Sequence, residues 1–325
     1  MSRGRVSLVC SSALAAVALA SAVRAAPLSF QTTVLGDSPY LYYRFGDVGS
    51  AGSLTNQPGD DISAGNNDGI FRGNPAAGAA GFGAGSDNAV TFPGTSVTGL
   101  DYLRTTNNRT FGSRVARSSY ELIFRTNTVN PTDYQAVFGV FNAADATTSP
   151  ARSNTGAVAI EFNSNATGNT LAGSSRFYVR DEDGIAIAGT IANGTLLDGN
   201  FHHLAFTYDA TDASQHYIKA YIDGLSVPVS LVPQGGGSLT NVPDNLLDFT
   251  VDPTFGARNV RGTVGAEANV TIDEAALYGD RVLGDSDVAA HAAAAGFVVP
   301  EPGAMTVLGA CMLGLLRRRP PGAGS

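Results

Sequence analysis

The chain predicts an all-β, antiparallel sandwich with one short C-terminal helix, and three observations carry that expectation. Short segments alternate apolar and polar residues, Asp-Gly pairs stand between such segments, and Gly is abundant (39 of 325 residues) while Lys occurs once, at Lys219. Alternation with period two marks strands that bury one face. Asp-Gly between two such runs supplies the positive φ angles of a tight hairpin turn.

Taken along the chain, Tyr120, Leu122 and Phe124 alternate with Glu121, Ile123 and Arg125, and Val158, Ile160 and Phe162 with Ala157, Ala159 and Glu161. Phe177 and Val179 sit between Arg176, Tyr178 and Arg180, and Ile218, Ala220 and Ile222 alternate with Tyr217, Lys219 and Tyr221. Asp183-Gly184 and Asp223-Gly224 fall between such runs. Asn56 to Ser86, rich in Gly, Ala, Asn and Asp, reads as a long loop over one end of the sandwich. Gly284 to Gly296 reads as the one helix, capped by Asp285 or Ser286, carried by an alanine run and stopped by Gly296.

The two ends differ in character from this body. Arg3 and Arg5 precede an apolar or small-residue run from Val6 to Val23, and Val23-Arg24-Ala25 offers small residues for cleavage after Ala25. This is the pattern of a secretory signal peptide over 1–25, to be removed by a signal peptidase. At the other end, Pro300-Glu301-Pro302 precedes an apolar run of 13 residues, Ala304 to Leu316, and then Arg317, Arg318 and Arg319. That run is shorter than the roughly 20 residues of an ordinary membrane-crossing helix. The arginines would hold its end on the cytoplasmic side.

The Pro-Glu-Pro stop, the short apolar run and the arginine cluster together resemble the PEP-CTERM sorting signal of Gram-negative, exopolysaccharide-producing bacteria. The resemblance implies a sorting segment over 298–325, processing by an exosortase, transient anchoring in the inner membrane, and delivery to the cell surface or extracellular matrix. Both cysteines, Cys10 and Cys311, fall in the terminal segments, so the body, 26–297, has none and relies on its core or on metal rather than disulfides.

Charge narrows the choice of partner. The chain has a formal net charge of −8; without the terminal segments, six of the 20 basic residues and one of the 28 acidic ones go, leaving −13. Such a body repels nucleic acid and anionic membrane surfaces, so a nucleic-acid role is excluded.

Three segments of the body resemble the concanavalin A-like, laminin G-like jelly roll. The first runs Leu41-Tyr42-Tyr43-Arg44-Phe45-Gly46-Asp47, an opening strand with an acidic turn. The second is Asp198 to Asp209, with His202-His203 and Tyr208-Asp209, followed by Ile218 to Val229 with its Asp-Gly; Phe201 stands where the family usually has Trp. The third is Val270 to Gly296, a closing strand and short helix. The fold implied is two curved antiparallel sheets in a single domain.

His202 and His203 are adjacent on one strand, so they point to opposite faces and cannot chelate one metal together; packing and hydrogen bonding are their expected roles. Glucan-cleaving relatives of the fold carry Glu-x-Asp-x-x-Glu on a strand, and this chain has no such motif, so a non-enzyme is expected. A carbohydrate-active enzyme and a purely structural envelope component are the alternatives. The resemblance implies a structural calcium between the opening and closing segments, which carries over to Asp47 and Asp273. By alternation Asp273 shares a face with Thr271, Ala275 and Leu277, opposite Glu274. Tyr178, Tyr217 and Tyr221, opposite the apolar residues of their strands, are the candidates for stacking on a sugar; the chain contains no Trp. The reading as a whole is an exported lectin-like domain for carbohydrate or surface-protein adhesion.

Overall fold

The computed structural model describes residues 29–299 except 48–51, 55–57, 66, 84–87, 95–99, 107–114, 128–134, 142–155, 163–173, 182, 193, 213–216, 236, 245 and 247–250. The terminal segments 1–28 and 300–325, with Pro300, Glu301, Pro302, Arg317, Arg318 and Arg319, lie outside the described residues. Among the described residues no helix is long and apolar enough to cross a membrane.

Two antiparallel sheets, of nine and eleven strands among the described residues, face each other as a jelly-roll sandwich. The first sheet runs in the order Leu225–Val227, Ile218–Ile222, His202–Asp209, Arg117–Thr126, Asn269–Gly279, Asn88–Pro93, Ala76–Ala80, Gly52–Ser53. The opening strand Leu41–Arg44 pairs with Asn269–Gly279 on the same side as Asn88–Pro93, further along it. The second sheet runs Ser230–Gly235, Ile185–Ala192, Ser174–Arg180, Ala157–Phe162, Gln135–Phe141, Thr254–Phe255, Tyr102–Thr105, Gly69–Arg72, Pro58–Gly59. A hairpin of Arg258–Val260 and Thr263–Gly265 adds to it, its first strand parallel to the end of Gln135–Phe141.

Alternation decides what fills the space between the sheets. Leu122 and Phe124, Leu204, Phe206 and Tyr208, Val158, Ile160 and Phe162, and Phe177 and Val179 all point inward and are buried. Phe124 stacks on Phe162 at 5.1 Å and Phe177 on Phe206 at 5.1 Å, tying one sheet to the other. Each such ring removed from water stabilises the fold by about 1.5–3 kcal/mol, which explains how a cysteine-free body holds together.

The expected loop between Asn56 and Ser86 contains strands Pro58–Gly59, Gly69–Arg72 and Ala76–Ala80 instead. Glycine and alanine gave no apolar rhythm, but they are what the packing requires: a Cβ on Gly59 or Gly69 would lie 2.9 or 2.8 Å from the Leu103 side chain. Buried Asp61 organises the turn between these strands, accepting from the backbone N–H of Tyr42, Ser63 and Asn67 at 2.8, 2.9 and 2.6 Å.

The predicted C-terminal helix is present as Asp285–Ala295, with Gly296 at φ 105° closing it. Its N-cap is Gly284 rather than Asp285 or Ser286, and Asp287 Oδ2 accepts from the Gly284 N–H at 3.0 Å. A second helix, Phe30–Gly36, was not expected; Ser29 caps it by accepting from Thr32 N–H at 3.2 Å. Seven residues with apolar positions only at Phe30, Val34 and Leu35 give too little periodicity to read. Both helices lie on the outer face of the first sheet, packing Phe30, Val34, Leu283 and Val288 against Tyr42, Ile123, Ala205, Tyr221, Ala276 and Tyr278. The Asp223-Gly224 hairpin is the two-residue turn expected, with φ of 53° and 80°. Around Gly184 the chain takes a longer turn, closing between Asp181 and Ile185.

Candidate functional site

Two polar constellations stand out, one on the outer face of each sheet, and the centre of each is buried. The first is sealed. Glu121, on the strand Arg117–Thr126, is paired across to Ala205 and Ala276 and faces the helices. Its Oε1 lies 3.2 Å from His203 Nε2, its Oε2 lies 2.8 Å from His291 Nδ1 on the C-terminal helix, and Tyr278 donates its hydroxyl to Oε2 at 2.9 Å. The far side of the His291 ring, Nε2, lies 3.0 Å from Asp37 Oδ2, and Arg281 pairs with Asp37 in turn. Glu121, His203, Tyr278 and His291 are all buried.

Burial alone would push the Glu121 pKa up. The hydrogen bonds and charges of His203 and His291 outweigh it and hold the carboxyl down to about 2. For His291 burial disfavours the charged ring, but Glu121 and Asp37 on its two sides raise its pKa above the ordinary value. The arrangement fastens the C-terminal helix to the sheet through a carboxylate.

His202 faces the other way, as alternation required. Its Nδ1 lies 3.0 Å from Asp223 Oδ2 and its Nε2 3.2 Å from Asp198 Oδ1, while Asp223 Oδ1 accepts from the His203 N–H at 3.0 Å. The His-His and Asp-Gly elements are therefore one device, in which the strand His202–Asp209 holds the hairpin turn of its neighbour.

The second constellation lies on the outer face of the second sheet. Residues paired across strands share a face, and one row reads Gln234, Ala186, Arg180, Ala157, Phe141 and Val260 in register. The next row contains Ala188, Tyr178, Ala159 and Gly139. Ala157, Ala159, Ala186 and Ala188 form a buried cluster with Tyr178, and the half-buried Phe141 packs against it. Tyr178 stacks on Phe141 at 5.6 Å with the rings 12° apart. The Arg176 guanidinium lies 5.2 Å from the Tyr178 ring centre and that of Arg258 4.9 Å from Phe141. Fully buried Glu161 accepts from Arg176 Nε at 2.7 Å and from Arg258 Nη1 at 3.1 Å, fixing both guanidinium groups over the aromatic pair. Arg180 Nε and Gln234 Nε2 are buried and have no hydrogen-bond partner among the described residues, while the Arg180 side chain also hydrogen-bonds Tyr178. Beside Arg258 a hollow of about 440 Å³ is lined by Arg258, Val260, Arg261, Thr263, Val264 and Ala266, within the size range of small-molecule sites.

The three tyrosines chosen from sequence do not share a surface. Only Tyr178 belongs to this face. Tyr217 precedes its strand at φ 53°, which breaks the alternation and turns it into the core between the sheets, its hydroxyl donating to Leu239 C=O at 3.1 Å. Tyr221 is buried beneath the C-terminal helix and donates to Asp285 Oδ1 at 2.7 Å. Arg176, Arg180 and Arg258 were not singled out, although Arg176 and Arg180 occupy the same alternating positions as Tyr178.

Asp273 sits at a bulge, where the register with Arg117–Thr126 shifts between Ile272 and Glu274. The extra residue resets the faces, so Thr271 points outward while Ala275 and Leu277 point to the core, and the shared face expected for Asp273 is not formed. Its Oδ2 accepts from Phe82 N–H at 2.8 Å. Asp47 ends a 3-10 turn, Phe45–Asp47, and its side chain lies outside the described residues. Among the described residues no group of three or more His, Cys, Asp or Glu side chains is arranged to hold a metal ion.

The fold and this face define an all-β sandwich with a helix-covered first sheet and an arginine- and aromatic-bearing second sheet. No family model matches the chain, and no curated protein matches it. Among solved structures it is similar to the NanB sialidase from Streptococcus pneumoniae, at 19% identity and a TM-score of 0.36, over 54% of this chain and 23% of that one. It is also similar to the Ruminococcus gnavus IT-sialidase CBM40, at 13% identity and a TM-score of 0.36, over 54% and 82%. Botulinum neurotoxin type C, whose cell entry depends on interaction with two ganglioside molecules, matches at 11% identity and a TM-score of 0.45, over 78% and 52%. The chain thus spans less than a quarter of the NanB sialidase.

Proposed function

We propose that this chain is an exported, non-enzymatic protein of the bacterial cell surface or extracellular matrix that binds carbohydrate on the outer face of its second sheet. The observation that carries the reading is the hollow of about 440 Å³ lined by Arg258, Arg261 and Thr263, next to the half-buried Phe141 ring, whose centre lies 4.9 Å from the Arg258 guanidinium. A sugar presents hydroxyl oxygens at its rim and C–H groups on its faces, and this face supplies donors for the first and ring edges for the second. The helices already occupy the corresponding face of the first sheet.

Binding is favoured over turnover because the densest acid–base cluster, Glu121 with His203 and His291, is buried, while Glu161 on the second sheet is also buried and committed to two arginines. The terminal segments complete the proposal: removal of 1–25 by a signal peptidase, and sorting through 298–325 by an exosortase. Calcium bracing Asp47 and Asp273 belongs to the same proposal. It is supported by the proximity in register of Arg44, three residues before Asp47, to Glu274 beside Asp273.

A polysaccharide pull-down and glycan array with the exported protein test the reading. Retention of at least one glycan by the wild type, and its loss when exposed Thr263 is replaced by a bulky residue in Thr263→Trp with an unchanged thermal unfolding curve, is the expected result. A blank array together with no retention would contradict it.

A further inference from the structure

Both sheets end at the same corner of the sandwich. The terminal strand of the first, Leu225–Val227, runs through Pro228 and Val229 into the terminal strand of the second, Ser230–Gly235. No strand among the described residues lies beyond either one, so the gap between the sheets stays open at this edge. A hollow of about 470 Å³ occupies it, lined by Ile191 from the second sheet and by Ile222, Leu225 and Val227 from the first, with Pro228 between them. That volume suits a small molecule. Leu225 is 46% exposed and Pro228 is exposed too, so the hollow is reached from solvent. Among the described residues its lining holds one polar side chain, that of Asp223.

The Asp223 carboxylate is fixed in direction and still has acceptor capacity. Its Oδ2 lies 3.0 Å from His202 Nδ1, and its Oδ1 accepts from the His203 N–H at 3.0 Å. A carboxylate oxygen can accept two hydrogen bonds, so each keeps one direction for a ligand, and the side chain is 32% exposed. Negative charge is also left over. The far nitrogen of His202 lies 3.2 Å from Asp198 Oδ1, so two carboxylates share one imidazole. The three groups together are net negative whether the ring is neutral or charged.

This combination selects its ligand by exclusion. A wholly apolar molecule would strip water from Asp223 and return no donor. A sugar would bring many hydroxyls to a lining with one polar side chain and leave most of them unpaired. An anion would meet Asp223 in a body of net −13. We infer that the hollow is a second ligand site, separate from the carbohydrate face, and that it takes a small apolar amine in its ammonium form. The ammonium donates to Asp223, and the hydrocarbon lies against Ile191, Ile222, Leu225 and Val227.

Hexylammonium, hexanol and hexanoate test the inference, because they share a hydrocarbon body and differ in the head group. Calorimetric titration of the exported protein is expected to give hexylammonium binding at least about tenfold tighter than hexanol, with no binding of hexanoate. Asp223→Asn should bring hexylammonium to the affinity of the alcohol. Leu225→Lys places a cation at the exposed rim, away from the bonds that hold the hairpin. It is expected to abolish hexylammonium binding with an unchanged unfolding midpoint. Hexylammonium and hexanol binding alike, undiminished hexylammonium binding in Leu225→Lys, or no heat with hexylammonium up to about 10 mM would each overturn the inference. All three leave the carbohydrate reading untouched, since that rests on the hollow beside Arg258.

Discussion

His291 Nδ1 lies 2.8 Å from Glu121 Oε2, so the histidine of the C-terminal helix is held by a carboxylate buried in the sheet beneath it. Removing one partner of a buried charged group leaves the others unpaired, at about 3–5 kcal/mol. Glu121→Ala is therefore expected to lower stability by about that amount in chemical denaturation, and to free the helix first, seen as early amide exchange at Val288 and Ala292.

The same pair sets a pH window. His291 has a raised pKa when folded, so its contribution is present in full below its unfolded value of 6.5 and fades as pH rises through the raised one. Glu121 is lowered from 4.5 to about 2, so its contribution is present above 4.5 and is lost as pH falls towards 2. Both act fully between about pH 4.5 and 6.5. The unfolding midpoint of the wild type is expected to fall on leaving this window at the alkaline side, and His291→Gln to flatten that limb.

Asp223 ties the Asp-Gly turn to both histidines, through His202 Nδ1 and the His203 N–H. Asp223→Ala is expected to cost about 1–3 kcal/mol, with Gly224 at φ 80° keeping the turn itself. An Asp223→Asn variant, which retains an acceptor for the N–H, should recover part of the loss. Equal costs for the two variants would show that the hydrogen bonds are not the source.

Tyr221 and Tyr178 each brace the outer face of one sheet. Tyr221→Phe removes the bond to Asp285 and is expected to cost about 1 kcal/mol with unchanged glycan retention. Tyr178→Ala removes a buried ring stacked on Phe141 and is expected to cost more, about 3–5 kcal/mol.

Calcium is tested by thermal unfolding before and after EDTA. The proposal expects a midpoint that rises with calcium in the wild type and does not respond in Asp273→Asn. A wild type indifferent to both reagents removes calcium from the account.

Much of this architecture was legible in the sequence because alternation reports burial directly. Tyr120 to Arg125, Ala157 to Phe162 and Arg176 to Arg180 read correctly as strands, and the opposite orientation of His202 and His203 followed from their adjacency. Three features escaped for physical reasons. Gly59, Gly69 and Ala76–Ala80 form strands that carry no apolar rhythm, since Leu103 occupies the space their side chains would fill. The bulge at Asp273 shifts the faces of the closing strand, and no residue pattern announces it. Tyr217 left its expected face because one positive φ precedes the strand. The site was legible only in part: Tyr178 was recognisable as outward-facing, but Phe141, Glu161 and Arg258 reach it from separate strands, and a single sequence does not show which strands are neighbours.

The most direct measurement of the central claim is a map of amide chemical-shift changes as a glycan retained in the pull-down is added to the isotopically labelled protein. The account predicts changes concentrated on Ser174–Arg180, Ala157–Phe162, Gln135–Phe141 and Arg258–Val260, with the helix Asp285–Ala295 and the strand Ile218–Ile222 unaffected. Changes centred on the helix-covered sheet, or on the Asp223-Gly224 hairpin, with the second sheet silent, would contradict it.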